Sequence, residues 1–196
     1  MMIGQIIGNY KILEKISEDE MIELYNGVDL LLNRNVVIKV LGQAGLNQSV
    51  IQKSFWFEAA TLAKLNHPCI PTLHSMMSLE RELVMIFEFT DGETLNKNLL
   101  RREKLLCKEA VSIFAQVLDC LDYSYKTSIV HGNLKTSDIV LTDAGTTVKV
   151  LGFGTSEYIS PHQTEEDKVA VSSDIYALGA MLFEVLTGKS AFNRSL

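Results

Sequence analysis

The run of apolar and polar positions divides the chain into a strand-rich first part and a helix-rich second part. Residues 10–16 and 23–29 read as two strands joined by the polar turn Ser17-Glu18-Asp19-Glu20. Residues 35–41 form a third, with Lys39 set in an otherwise apolar run, and 42–49 read as a loop rich in Gly, Asn, Gln and Ser. Residues 50–66 predict a helix, because Ile51, Phe55, Glu58, Leu62 and Leu65 are spaced to share one face, and His67-Pro68 stops it. Strands at 72–77 and 82–89 complete a small antiparallel sheet of five strands with one helix.

Thr90-Asp91-Gly92-Glu93 punctuates the chain, and the remainder is mainly helical. A helix at about 94–102 leads to a longer one at 107–126, with Ala110, Val111, Phe114, Val117, Leu118 and Leu121 on one side. The stretch 129–154 reads as an apolar strand, a polar turn around His131, a second strand, a turn at Asp143-Ala144-Gly145 and a third strand ending at a glycine-flanked Phe153. Ser173-Asp174 then starts a helix at 175–186 that is apolar nearly all round and ends at Gly188. A helix without a polar face is expected to be buried on every side, as the hub of its part of the fold.

Composition narrows this picture. A chain of 196 residues with 47% hydrophobic and 21% charged side chains fits one domain, or one domain in two lobes, with a substantial core. Its net charge of −6 argues against a nucleic-acid partner held through phosphates. Cys69, Cys107 and Cys120 follow no ligand spacing and read as reduced thiols of a cytoplasmic protein. The opening MMIGQIIGNYK lacks a basic lead and predicts no signal peptide, and the stretch 175–186 is too short to span a bilayer.

The motifs carry the functional reading. Val36-Val37-Ile38-Lys39, Glu58 on the helix, His67-Pro68-Cys69-Ile70, Phe87-Glu88-Phe89, His131-Gly132-Asn133-Leu134-Lys135, Gly152-Phe153-Gly154, Ser160-Pro161-His162-Gln163 and Ser173-Asp174-Ile175-Tyr176 come one after another in this order. Together they resemble the bacterial Hanks-type, eukaryotic-like serine/threonine protein kinases. The resemblance implies an α+β, two-lobed fold: an N-lobe over 1–90 and a helical C-lobe over 91–196 that is incomplete after its central helix. It pairs Lys39 with Glu58, a pair that positions nucleotide phosphates in the family. The alternative is a structural ion pair, since a cation in an apolar strand and a carboxylate on an apolar helix face each need a partner. It also implies a packing spine of Leu62, Leu73, His131 and Phe153 anchored by Asp174, with His131 a packing residue and not a general base.

The chemistry departs from the family's pattern. Ser17, Asp19 and Ile22 stand where three glycines would close over phosphates, and Glu18, Asp19, Glu20 and Glu23 bring like charge there. Asn133 replaces the catalytic aspartate, a loss on the order of 10²–10⁴ in rate. Gly152 replaces the metal-binding aspartate, and Asp138 takes the place of the second metal-ligating residue, one carboxylate that does not make a magnesium site. Lys135 keeps the catalytic-loop lysine without a reaction to assist. Gly132 replaces the arginine that receives a regulatory phosphate, His162 replaces the glutamate that anchors the activation segment, and the segment itself is reduced to 155–159. Val37 and Phe87 narrow the adenine pocket.

These features predict a pseudokinase that works as a protein-binding or scaffolding module in signalling, with no bound cofactor. The alternative is a divergent kinase that still takes ATP, without Mg, through Lys39, Glu58 and the hinge at Glu88 and Phe89. The short C-lobe surface is expected to meet a protein partner or a second copy.

Overall fold

A six-stranded antiparallel sheet forms the first part of the chain, in the order β1-β2-β3-β4-β6-β5. Its strands are β1 (Ile6–Ile7), β2 (Tyr10–Glu18), β3 (Ile22–Asp29), β4 (Arg34–Leu41), β5 (Leu73–Ser78) and β6 (Leu83–Glu88). The computed structural model describes residues 2–19, 21–155 and 166–191. The readings placed on Glu20, on 156–159 and on Ser160-Pro161-His162-Gln163 lie outside the described residues.

Alternation along β4 decides what each face of the sheet does. Val36, Ile38 and Val40 are fully buried on one face with Ile12, Tyr25, Val84 and Ile86. The opposite face carries Leu41 and Lys39, and there Leu41, Leu83 and Met85 pack against Phe55 and Ala59 of helix α2 (Ser49–Leu62). The sheet therefore has one strand more than expected, β1, which pairs with the start of β2. The segment read as a loop at 42–49 holds a single helical turn, α1 (Gln43–Leu46), with Gly45 buried against Leu41.

Helix α2 ends four residues earlier than its apolar spacing implied. The Asn66 N–H donates to the Tyr123 hydroxyl at 2.9 Å instead of continuing the helix. The Cys69 carbonyl accepts the Val150 N–H at 2.7 Å, and the His67 ring lies 5.1 Å from that of Tyr123. Two compact units result: residues 1–63 with 71–90, and residues 64–70 with 91–196. A break thus falls after residue 90, where it is expected, while the His-Pro turn at 64–70 groups with the second unit because it is bonded to it.

That unit combines a three-stranded sheet, β7-β8-β9 (Gly92–Thr94, Ile139–Thr142, Thr147–Val150), with α3 (Leu95–Arg102), α4 (Cys107–Lys126) and α5 (Glu166–Thr187). Gly92 is obligatory in β7, since a Cβ there would lie 2.2 Å from the Leu141 carbonyl oxygen. Helix α4 buries Ala110, Ile113, Phe114, Val117, Cys120 and Leu121, whereas Val111 and Leu118, expected on that face, are exposed. Residues 129–130 form no strand. The Ile129 N–H closes back on the Ser124 carbonyl at 2.9 Å, finishing α4 instead of pairing with a neighbour.

The largest correction concerns α5. It begins at Glu166, so Ser173-Asp174 lies within the helix and does not cap it. Nor is it buried on every side: Leu178, Met181 and Val185 are, but Ile175, Tyr176 and Phe183 are exposed at 60%, 65% and 47%. Among the described residues no helix is long and apolar enough to cross a membrane. The three cysteines are free, and burial pushes the thiols of Cys69 and Cys120 up.

Candidate functional site

Each unit carries its own part of the constellation. In the first, β4 turns Lys39 towards α2, where Glu58 is buried at the helix surface. The Lys39 ammonium donates to both carboxylate oxygens, at 2.7 and 2.6 Å, and lies 5.7 Å from the centre of the Phe55 ring. The pair satisfies two charges that the sheet-helix interface would otherwise leave costly. Val37 pairs with Phe87 across the β4–β6 ladder, and Glu88 ends β6 with its carboxylate accepting the Thr72 N–H at 3.1 Å. Phe89 comes directly after the strand, half-buried. Leu62 is buried on α2, and Leu73 packs on the edge of the cluster that contains Phe55 and Met85.

The β2–β3 hairpin differs from a phosphate-binding loop in a specific way. The Asp19 carboxylate accepts the backbone N–H groups of Met21 and Ile22, at 2.8 and 2.6 Å, and so takes donors that a glycine-rich turn would offer to phosphate. Lys15 bonds both Glu18 and Glu23, and these contacts hold its ammonium well above the ordinary lysine range and the Glu23 carboxyl below its own. The like charge anticipated at this tip is therefore partly neutralised within the hairpin. Sequence reasoning passed over Lys15; its cross-strand distance to Glu23 was the available signal.

In the second unit, Asp174 collects the loop after α4. Buried completely, its carboxylate accepts the N–H groups of His131 and Gly132, at 3.0 and 2.8 Å, and the Tyr125 hydroxyl at 3.0 Å. Tyr125 was not anticipated, because α4 periodicity says nothing about a distant carboxylate. Burial holds the His131 imidazole below its usual range. Its Nε2–H donates to the Leu151 carbonyl at 2.7 Å, and its ring meets Phe153 edge-on at 4.9 Å. Both contacts tie the imidazole into the packing.

Asn133 is exposed on this loop, next to buried Leu134 and exposed Lys135. Asp138 sits in a short 3₁₀ turn, half-buried, and burial raises its carboxyl to about 6 against the opposing pull of Lys135. Gly152 adopts φ +87°, and a Cβ there would meet the His131 ring at 3.4 Å. Asp138 brings one carboxylate and Gly152 none. Among the described residues no three His, Cys, Asp or Glu side chains group to hold a metal. The side chains of the described residues do not fit the magnesium that the family pairs with nucleotide phosphates.

Known proteins are similar to this chain in sequence. A family profile described as the protein kinase domain matches residues 10–164. The chain belongs to the protein kinase family. It is 32% identical over 213 aligned positions to the probable serine/threonine-protein kinase PknB of Lactococcus lactis, covering 98% of this chain and 34% of that protein. It is 30% identical to the serine/threonine-protein kinase PrkC of Bacillus subtilis, covering 98% of this chain and 33% of the relative. Similarity to PknB of Mycobacterium tuberculosis is also 30%, over 93% of this chain and 33% of that one. The chain thus resembles the Hanks-type kinase domain of these bacterial proteins and spans about a third of their length.

Proposed function

We propose that this protein kinase domain no longer transfers phosphate and acts in the cytoplasm as a protein-binding, regulatory module. The observation that carries the reading is Gly152, at φ +87° beside His131, where the family holds a metal-binding carboxylate. Asn133 adds to it, since an amide does not take up a hydroxyl proton. The engaged N–H groups of Met21 and Ile22 add further weight. Incubation of the purified chain with γ-labelled ATP and Mg²⁺ or Mn²⁺ tests the reading. Labelling of the chain or of a generic protein substrate that disappears in Lys39→Ala overturns it.

The Lys39–Glu58 pair favours a second reading, a divergent kinase that still takes nucleotide. A ligand that binds only the folded chain raises its melting temperature by mass action. A metal-dependent rise with ATP supports this alternative; no rise at millimolar ATP supports the first reading.

For the partner surface we propose the exposed face of α5 around Tyr176 and Phe183, taken either by another protein or by a second copy of this chain. Sedimentation at rising concentration checks this. A purely monomeric chain that binds no dye for exposed apolar surface removes that assignment.

A further inference from the structure

A turn and a helix of the second unit bring two thiols together. The Asn66 N–H donates to the Tyr123 hydroxyl at 2.9 Å, and the His67 ring lies 5.1 Å from that of Tyr123. His67 Nδ1 accepts the Cys69 N–H at 3.2 Å, which leaves the ring proton on Nε2, 3.3 Å from the Asp119 carboxylate. The Cys69 carbonyl accepts the Val150 N–H at 2.7 Å. The His-Pro turn is thus held by α4 on one side and by β9 on the other. On the helix, the residues that hold it, Asp119 and Tyr123, bracket Cys120. Cys69 is 6% exposed and Cys120 not at all.

Electrostatics agrees with this placement. Negative charge on Cys69 opposes charge on Cys120, and the Asp119 carboxylate opposes it on both. Such an interaction weakens with separation, so it is one between neighbours. Cys107, the remaining cysteine, is exposed at the start of α4, ~20 Å along the helix from Cys120. Cys120 is fixed by its helix, whereas Cys69 lies in a turn. The turn can supply the movement that sets the two Cβ atoms ~4 Å apart, as a disulfide requires.

We propose that Cys69 and Cys120 form a redox latch, which hydrogen peroxide closes into a disulfide that staples the His-Pro turn to α4. Cys69 reacts first, because it alone of the two keeps some exposure and Lys149 is the cation that favours its thiolate. Its sulfur attacks one peroxide oxygen, the O–O bond breaks, and a sulfenic acid and one water result. The Cys120 sulfur then displaces the hydroxyl of that sulfenic acid, which leaves as a second water, and the S–S bond forms. Two thiols have given up two protons and two electrons, and one peroxide has become two waters. A dithiol reductant restores both thiols. The latch goes beyond the function proposed above and stands whether or not the chain transfers phosphate.

Hydrogen peroxide treatment of the reduced, folded chain tests the proposal, followed by unfolding in urea with a maleimide to block the remaining thiols and peptide mapping by mass spectrometry. The expected product is a single chain in which the Cys69 and Cys120 peptides are joined and neither carries maleimide. The oxidised chain melts ~5 °C or more above the reduced one, because the bond closes a long loop, and dithiothreitol reverses the rise. Cys120→Ala abolishes the link and leaves a Cys69 sulfenic acid that dimedone traps, whereas Cys107→Ala leaves the link intact. The mapping uses the wild-type chain, so a variant that fails to fold does not decide it. The proposal is overturned if Cys69 and Cys120 both still take maleimide, if the link forms only when peroxide is added in urea, if either joins Cys107 instead, or if the linked chain melts no higher than the reduced one.

Discussion

Asp138 shows how burial acts on a single carboxylate. Burial lifts its carboxyl from an ordinary 3.8 to about 6, so the folded chain holds this proton more tightly than the unfolded chain does. Its contribution to stability therefore falls as pH rises between these values, and above them the charged form is a cost. Asp138→Asn is expected to raise stability by ~1–2 kcal/mol above pH ~7 and to change nothing below pH ~4, measured by urea unfolding across pH. A pH-independent effect contradicts this account. Gly152 poses the opposite problem. Its left-handed backbone suits glycine, and a side chain there presses on the His131 ring. Gly152→Asp should cost ~1 kcal/mol in the same measurement.

Two elements are held by buried charge, and each makes a test. Lys39 joins β4 to α2 through Glu58, and if that pair is structural its removal leaves a carboxylate alone in the interface. Lys39→Met should cost ~3 kcal/mol, and the double variant Lys39→Met/Glu58→Leu should recover at least half of it, because an apolar pair carries no desolvation penalty. Asp174 fixes α5 to the loop after α4 through three donors. Asp174→Ala orphans all three and is expected to lower stability by ~3–5 kcal/mol, read from the urea midpoint. Such elements also mark how far the sequence could be read. Strand β4 and helix α2 were legible because alternation and helical spacing each leave a charge where only a partner explains it. The start of α5 was not legible, because Ser173-Asp174 has the composition of a cap and its role depends on His131 and Gly132, far away in the chain. The extra strand β1 is two residues long and too short to carry a period.

At the scale of the molecule, the order of motifs revealed the kinase fold because each depends on local chemistry: a strand lysine, a His-Pro turn, a glycine-flanked phenylalanine. The extent of burial was much less legible. Ile175, Tyr176 and Phe183 have the composition of core residues, yet α5 turns them outward. The docking of the His-Pro turn on α4 left no trace in the sequence, since Asn66 and Tyr123 meet only in the fold. On the function proposed above, the framework and the loss of chemistry rest on different residues. Packing around Asp174, His131 and Phe153 holds the second unit together, while the proposed loss of phosphotransfer rests on Asn133 and Gly152. Phosphotransfer from γ-labelled ATP, measured with Mg²⁺ and with Mn²⁺ in wild type and Lys39→Ala, tests this most directly. The account predicts the same background labelling in both proteins; labelling of wild type that Lys39→Ala abolishes would contradict it.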